Sequence, residues 1–292
     1  MASRGLQRDD AGNVVVAHEG FLRYRRFRWL KVALGVSFLF ILVYLLVDVQ
    51  PRHNGGSWLG YLLGTLSVLI IVWLSLLGIR KRAITRGGWS LKAWTSAHVY
   101  LGLGLIVLAT LHTGFQFGWN VHTVAYVVMM LVIVSGIYGI SVYAMLPQSL
   151  SDVRSEMTGP QMIDAVSSLD KQIRAAAQTL SDADSTVVLG SLGQDPLGGG
   201  AWRRLSGSYP RCGNRAALQV MRGRLAATSG REQTTVEQVV TLLERKAAAL
   251  QRIRNYAQRR ALLEVWLYIH VPLTVVLIVA LAAHIVSVFF YW

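Results

Sequence analysis

Long apolar blocks alternate with short polar breaks through the first half of the chain, and one more apolar block closes it. The blocks run about Leu30–Val47, Trp58–Ile79, Ala93–Phe115, Val121–Met145 and Leu263–Trp292. Each is near the ~20 residues that a helix needs to cross ~30 Å of hydrocarbon. The breaks carry turn chemistry: Pro51 to Gly56 after the first block, a basic loop from Arg80 to Lys92 after the second, Gly118–Asn120 after the third, and Pro147 after the fourth.

Polar positions dominate two remaining stretches. Residues 1–28 predict a loose arm on the membrane surface. Residues 147–262 predict a polar insert, with a helix over Pro160–Leu180, a short strand at Thr186–Leu189 and a flexible glycine-rich linker at Gly190–Gly200. That linker lacks the GKS or GKT ending of a P-loop, and no G-x-G-x-x-G opens a helix, so no nucleotide site is legible. Farther on, Val236, Val239, Leu243, Leu250, Ile253 and Ala257 form a heptad-like stripe, interrupted by Lys246 and Arg260. It predicts a packing face on a helix that runs into the last block. The pattern as a whole predicts an all-α membrane protein. Its parts are a cytoplasmic arm (1–28), four transmembrane helices (29–146), a mainly helical cytoplasmic insert (147–262) and a fifth transmembrane helix (263–292).

Composition supports the membrane class: 53% of residues are hydrophobic and 15% charged, against ~25% charged in a soluble domain. The net charge of +14 is explained by placement. Of the Lys and Arg residues, only Arg52 falls on the side opposite the N-terminal flank, the second-to-third loop and the insert. The positive-inside rule then places the N-terminus and the insert in the cytoplasm of an inner-membrane, multi-pass protein, with the C-terminus on the outer face. No nucleic-acid reading motif accompanies the charge. A single cysteine, Cys212, excludes an internal disulfide, a cysteine-ligated iron–sulfur cluster from this chain alone and a C-x-x-C-H haem attachment. The first apolar block is too long for a signal-peptide core, so no cleavable signal is expected.

Four of the seven histidines fall inside predicted spans, in two H-x13-H pairs: His98 and His112, His270 and His284. Fourteen residues turn a helix through about 1400°, within ~40° of a whole number of turns, so the two histidines of a pair share a face. They stand ~21 Å apart along the axis, too far to share an ion. The third and fifth spans run in the same direction by the charge rule. Facing each other, they set His98 opposite His270 and His112 opposite His284. Two imidazoles on opposite helices suit the two axial positions of a haem iron, and an iron so filled passes electrons rather than binding substrate. Gly102, Ala109, Gly136 and Gly139 supply room, although each reads equally as helix packing, as does the Gly60-x-x-x-Gly64 pair. Arg80, Arg82, Arg86, Arg259 and Arg260 stand where inner propionates would emerge, although positive-inside placement alone explains them equally well. His53 and His122 stand near the outer level, where a quinone, a proton path or a metal could use them, but they read better as solvated interfacial residues; His18 carries no signal.

The paired motifs resemble the di-haem cytochromes b. In layout they resemble the transmembrane core of ferric reductases and NADPH oxidases, whose ligands also lie on the third and fifth spans above a cytoplasmic N-terminus. The resemblance covers spans two to five. It implies two haem b groups, an inner one on His98 and His270 and an outer one on His112 and His284. The chain departs from that family in lacking a sixth span and a flavin or nicotinamide domain, and in its large insert. A cytoplasmic redox subunit, carrying flavin or iron–sulfur, and an outer-face carrier or quinone are therefore the expected partners. Two other readings stay open. One is a cytochrome b subunit that oxidises quinol or reduces quinone; the other is a haem-free transporter or scaffold subunit whose histidines handle protons.

Overall fold

A computed structural model of the protein describes residues 5–8, 14–17, 20–50, 52–82, 90–144, 159–193, 195–210 and 212–290. The readings of His18, Arg86, Pro147 and Trp292 lie outside the described residues. The architecture is an all-α bundle with five helices long and apolar enough to cross a membrane. The chain divides into two units, residues 1–141 with 266–292, and residues 142–265.

In the first unit, α1 spans Arg28–Leu46 and α2 spans Trp58–Ser75. A short α3, Leu77–Arg82, continues α2. Then come α4, Leu91–Thr113, and α5, Val121–Ala144. The last helix, α10, spans Arg231–Phe290, and its final part belongs to this unit. Helix α1 starts two residues before the expected Leu30 and takes Lys31 into its first turns. Ser57 caps α2 by accepting from Gly60 N (3.1 Å), and Ser90 caps α4 by accepting from Ala93 N (3.2 Å). Both satisfy amides that have no partner within the helix. Gly114 ends α4 at φ +57°, a left-handed conformation suited to glycine.

The N-terminal arm departs from the expected loose coil. Strand β1 (Gly5–Arg8) pairs antiparallel with β2 (Val14–Ala17), in a register from Gly5 opposite Ala17 to Arg8 opposite Val14. The Val14-Val15-Val16 run explains it, since β-branched side chains favour a pleated strand.

Helix α4 lies centrally, packed along both α1 and α2. One buried cluster joins Val49, Leu59, Leu63 and Leu111; another joins Ile71, Leu74, Leu105, Ala109, Met129 and Leu277. The outward faces leave Leu45, Leu62, Leu69, Val279 and Phe289 exposed. So large an apolar surface fits lipid as its solvent.

The second unit holds α6 (Gly159–Ala177), α7 (Asp182–Gly190), α8 (Gly200–Ser206), α9 (Gly213–Ala227) and the first part of α10. Its core gathers Ile173, Val188, Met221, Val236, Val239 and Leu243, so most of the heptad-like stripe packs inside its own subunit. The strand expected at Thr186–Leu189 is instead helical. Ser181 caps α7 by accepting from Asp184 N, and Asp182 and Asp184 sit in its first turn, where acidic groups complement the helix dipole. The expected flexible linker is tied down: Leu192 is buried, Ser191 O accepts from Lys246 Nζ (3.3 Å), and Pro196 O accepts from Arg254 Nε (3.1 Å). Lys246, which seemed to break the stripe, is buried and paired with Asp170 at 2.5 Å.

Candidate functional site

Each of the four span histidines has its Nδ1 committed. His98 Nδ1 lies 3.1 Å from Leu74 O. Leu74 is in the last turn of α2, where the final carbonyls lack the full set of intrahelical partners. A carbonyl only accepts, so His98 Nδ1 carries the proton and donates. Trp73, next to Leu74 in the chain, stacks on Trp94 with ring centres 4.4 Å apart.

His112 Nδ1 donates to Gly60 O at 2.8 Å. The glycines of α2 expose that carbonyl and clear space for the ring. A Cβ at Gly64 would stand 2.7 Å from His112 Cε1, and one at Gly55 would stand 3.5 Å away. The G-x-x-x-G pair therefore serves a histidine as well as helix packing.

His270 Nδ1 lies 2.8 Å from Ser135 Oγ on α5. Ser135 Oγ also lies 2.7 Å from Val132 O; with its hydroxyl proton turned to that carbonyl, it accepts from His270 Nδ1. A Cβ at Gly136 would stand 3.6 Å from His270 Cε1, and Gly139 accommodates the Trp266 indole, which lies 5.3 Å from the His270 ring centre. Two residues past His270, Pro272 removes an amide from the α10 ladder. Thr274 Oγ1 donates to the His270 carbonyl nearby (2.8 Å).

His284 Nδ1 meets His122 Nδ1 at 2.6 Å. The His122 ring is half-buried and perpendicular to that of His284, with centres 4.7 Å apart. This corrects the reading of His122 as a solvated residue. His53 is also half-buried, its ring 4.1 Å from that of Tyr44 and its carbonyl accepting from Gln116 Nε2 (3.2 Å).

The chain matches no known protein-family model, no curated protein and no solved structure.

The site must therefore be judged on its own geometry. His112 and His284 come together, ring centres 5.9 Å apart and planes at 88°. Two imidazoles bound on opposite sides of a metal, each at ~2 Å, would hold their ring centres ~6 Å apart. His98 and His270 are not in ring contact among the described residues; their neighbours are Leu74 and Ser135. Midway between the two histidine levels, Leu105 of α4 and Leu277 of α10 share one buried cluster. In the described structure α4 packs closely along α1 and α2. Among the described residues, no group of three or more His, Cys, Asp or Glu is placed to hold a metal ion. A Cβ at Gly102 would meet Leu74 Cδ1 at 3.9 Å, on the side of the residue whose carbonyl His98 contacts. Of the arginines, Arg260 is engaged by Glu264 (2.9 Å) one turn along the same helix.

The arrangement has a chemical consequence. Where Nδ1 carries the proton and donates, Nε2 is left with its lone pair. No described hydrogen bond uses an Nε2 of these four residues. A metal-bound histidine characteristically donates its other ring N–H in this way, which fixes both tautomer and ring orientation.

Proposed function

We propose that the chain is the di-haem b-type membrane subunit of an oxidoreductase complex, passing electrons across the bilayer. The observation that carries this reading is the shared use of Nδ1. His98 and His112 are held as Nδ1–H donors by two carbonyls of α2, and His270 Nδ1 meets Ser135 Oγ on α5, which would leave Nε2 of each to hold an iron. The 5.9 Å approach of His112 to His284 suits one such pair. His98 and His270 would hold the other.

The residues divide the work. Leu74, Gly60 and Ser135 orient the imidazoles. Gly64 and Gly136 give them room. Leu105 and Leu277 keep an apolar layer between the two levels, which excludes water from the path. Bound haem supplies a one-electron couple whose potential follows from axial ligands, hydrogen bonds and burial. By the positive-inside rule the His98/His270 level is the inner one, and the insert faces the cytoplasm of the inner membrane. No flavin or nicotinamide motif is legible, so a cytoplasmic redox subunit delivers or receives electrons there. A carrier or quinone serves the outer face.

Single substitutions test the assignment. His112→Leu is expected to halve the haem content by removing the outer haem while the inner one keeps its spectrum, and His98→Leu to do the converse. Full haem content in both variants would refute it.

A further inference from the structure

The four span histidines differ in what their Nδ1 meets. For His98 and His112 it is a backbone carbonyl, and for His270 a hydroxyl. For His284 it is another imidazole, His122 Nδ1, at 2.6 Å. His122 is the second residue of α5 and lies half-buried. Its ring stands perpendicular to that of His284 at 4.7 Å between centres, and His112 reaches the same ring at 5.9 Å.

Two Nδ1 atoms this close share one proton. On the di-haem reading, on which this inference rests, His284 uses Nε2 toward iron. Its Nδ1 then holds the proton, and His122 Nδ1 accepts while bearing its own proton on Nε2. An imidazole nitrogen is a stronger base than an amide carbonyl or a hydroxyl oxygen. It draws the shared proton farther and leaves His284 more electron-rich than the other three ligands. An electron-rich axial ligand favours oxidised iron.

We infer that His122 is a positioning residue for His284, which fixes the ring through a histidine-to-histidine hydrogen bond and makes the His112/His284 haem harder to reduce than a carbonyl or hydroxyl acceptor on His284 would. The asymmetry gives the two levels different electronic settings from one chain.

The test is a redox titration of the purified full chain, followed by the reduced α-band. The His112-level haem is identified as the one missing from His112→Leu. His122→Phe is expected to raise that haem's midpoint by about 59 mV, a tenfold change in a one-electron equilibrium, with the other haem unmoved. His122→Gln, whose side-chain carbonyl restores an acceptor, is expected to return most of the shift. Should His122→Phe lose that haem, its retention in His122→Gln would also support the inference. An unshifted midpoint in a two-haem His122→Phe protein, or loss of the haem in both variants, would overturn it. Wild-type chain that binds no haem would instead sink the di-haem reading itself.

Discussion

At the scale of single residues, backbone carbonyls and a hydroxyl meet three of the four span imidazoles, and His122 meets the fourth. Gly64 is the sharpest case, because an added Cβ meets His112 Cε1 at 2.7 Å while Gly60 O anchors the other side of the ring. Gly64→Val is therefore expected to displace the ring and cost the His112-level haem while sparing the other; absorbance of extracted haem checks this, and an unchanged content would contradict it. The histidines themselves were legible from sequence, since a fourteen-residue spacing on a helix determines both face and separation. Their partners were not. Leu74 O and Gly60 O are backbone atoms on another helix, and no side-chain identity announces them. His122 was legible as a histidine at the start of a span, but its contact with His284 depends on how α5 and α10 pack.

Among the elements, α7 sets a strand-favouring run against a helix start. Thr186-Val187-Val188 favours a strand, but Ser181 and the acidic residues after it start a helix, and the buried Val188 then packs into a helical core. Asp184 also accepts from Arg224 Nε at 3.0 Å. This hydrogen bond holds the Asp184 carboxyl below its usual range, helped by Ser181 and opposed by burial. A depressed folded value stabilises the insert above the unfolded carboxylate pKa of ~3.9, and this contribution is lost as pH falls below it. Protease resistance of the insert is expected to decline across that acidic range, and Asp184→Asn to flatten this part of the dependence. The Lys246–Asp170 pair makes a stronger demand, because Lys246 is 2% exposed. Asp170→Ala would leave a buried ammonium without its partner. The expected cost is about 3 kcal/mol, at the low end for broken buried pairs because the Asp170 side chain is 26% exposed. Limited proteolysis would read this as a roughly hundredfold rise in the open population. Replacing both partners, as Asp170→Leu with Lys246→Met, is expected to restore resistance.

For the whole molecule, five helices long and apolar enough to cross a membrane were visible in the apolar blocks, with ends shifted by a few residues where caps such as Ser57 and Ser90 decide them. The hairpin at Gly5–Ala17 escaped notice because four-residue strands lack the length that makes a periodic pattern stand out. Sidedness is a separate claim, resting on charge. Cys212 is the chain's only cysteine, so a Cys212→Ser background allows single-cysteine labelling. Trp119→Cys, in the exposed turn before α5, is expected to react from outside intact cells. Ser208→Cys, in the insert, is expected to react only once the inner face is opened; the reverse pattern would contradict the orientation. The central claim concerns what the four histidines hold, and the most direct measurement is the ratio of extracted haem to purified full chain, read as the pyridine complex. The account predicts about two non-covalent haem b groups per chain, one for each bis-histidine iron. A chain produced with ample haem that carries none would contradict it, and would leave the histidines, with the His122–His284 hydrogen bond among them, to proton handling.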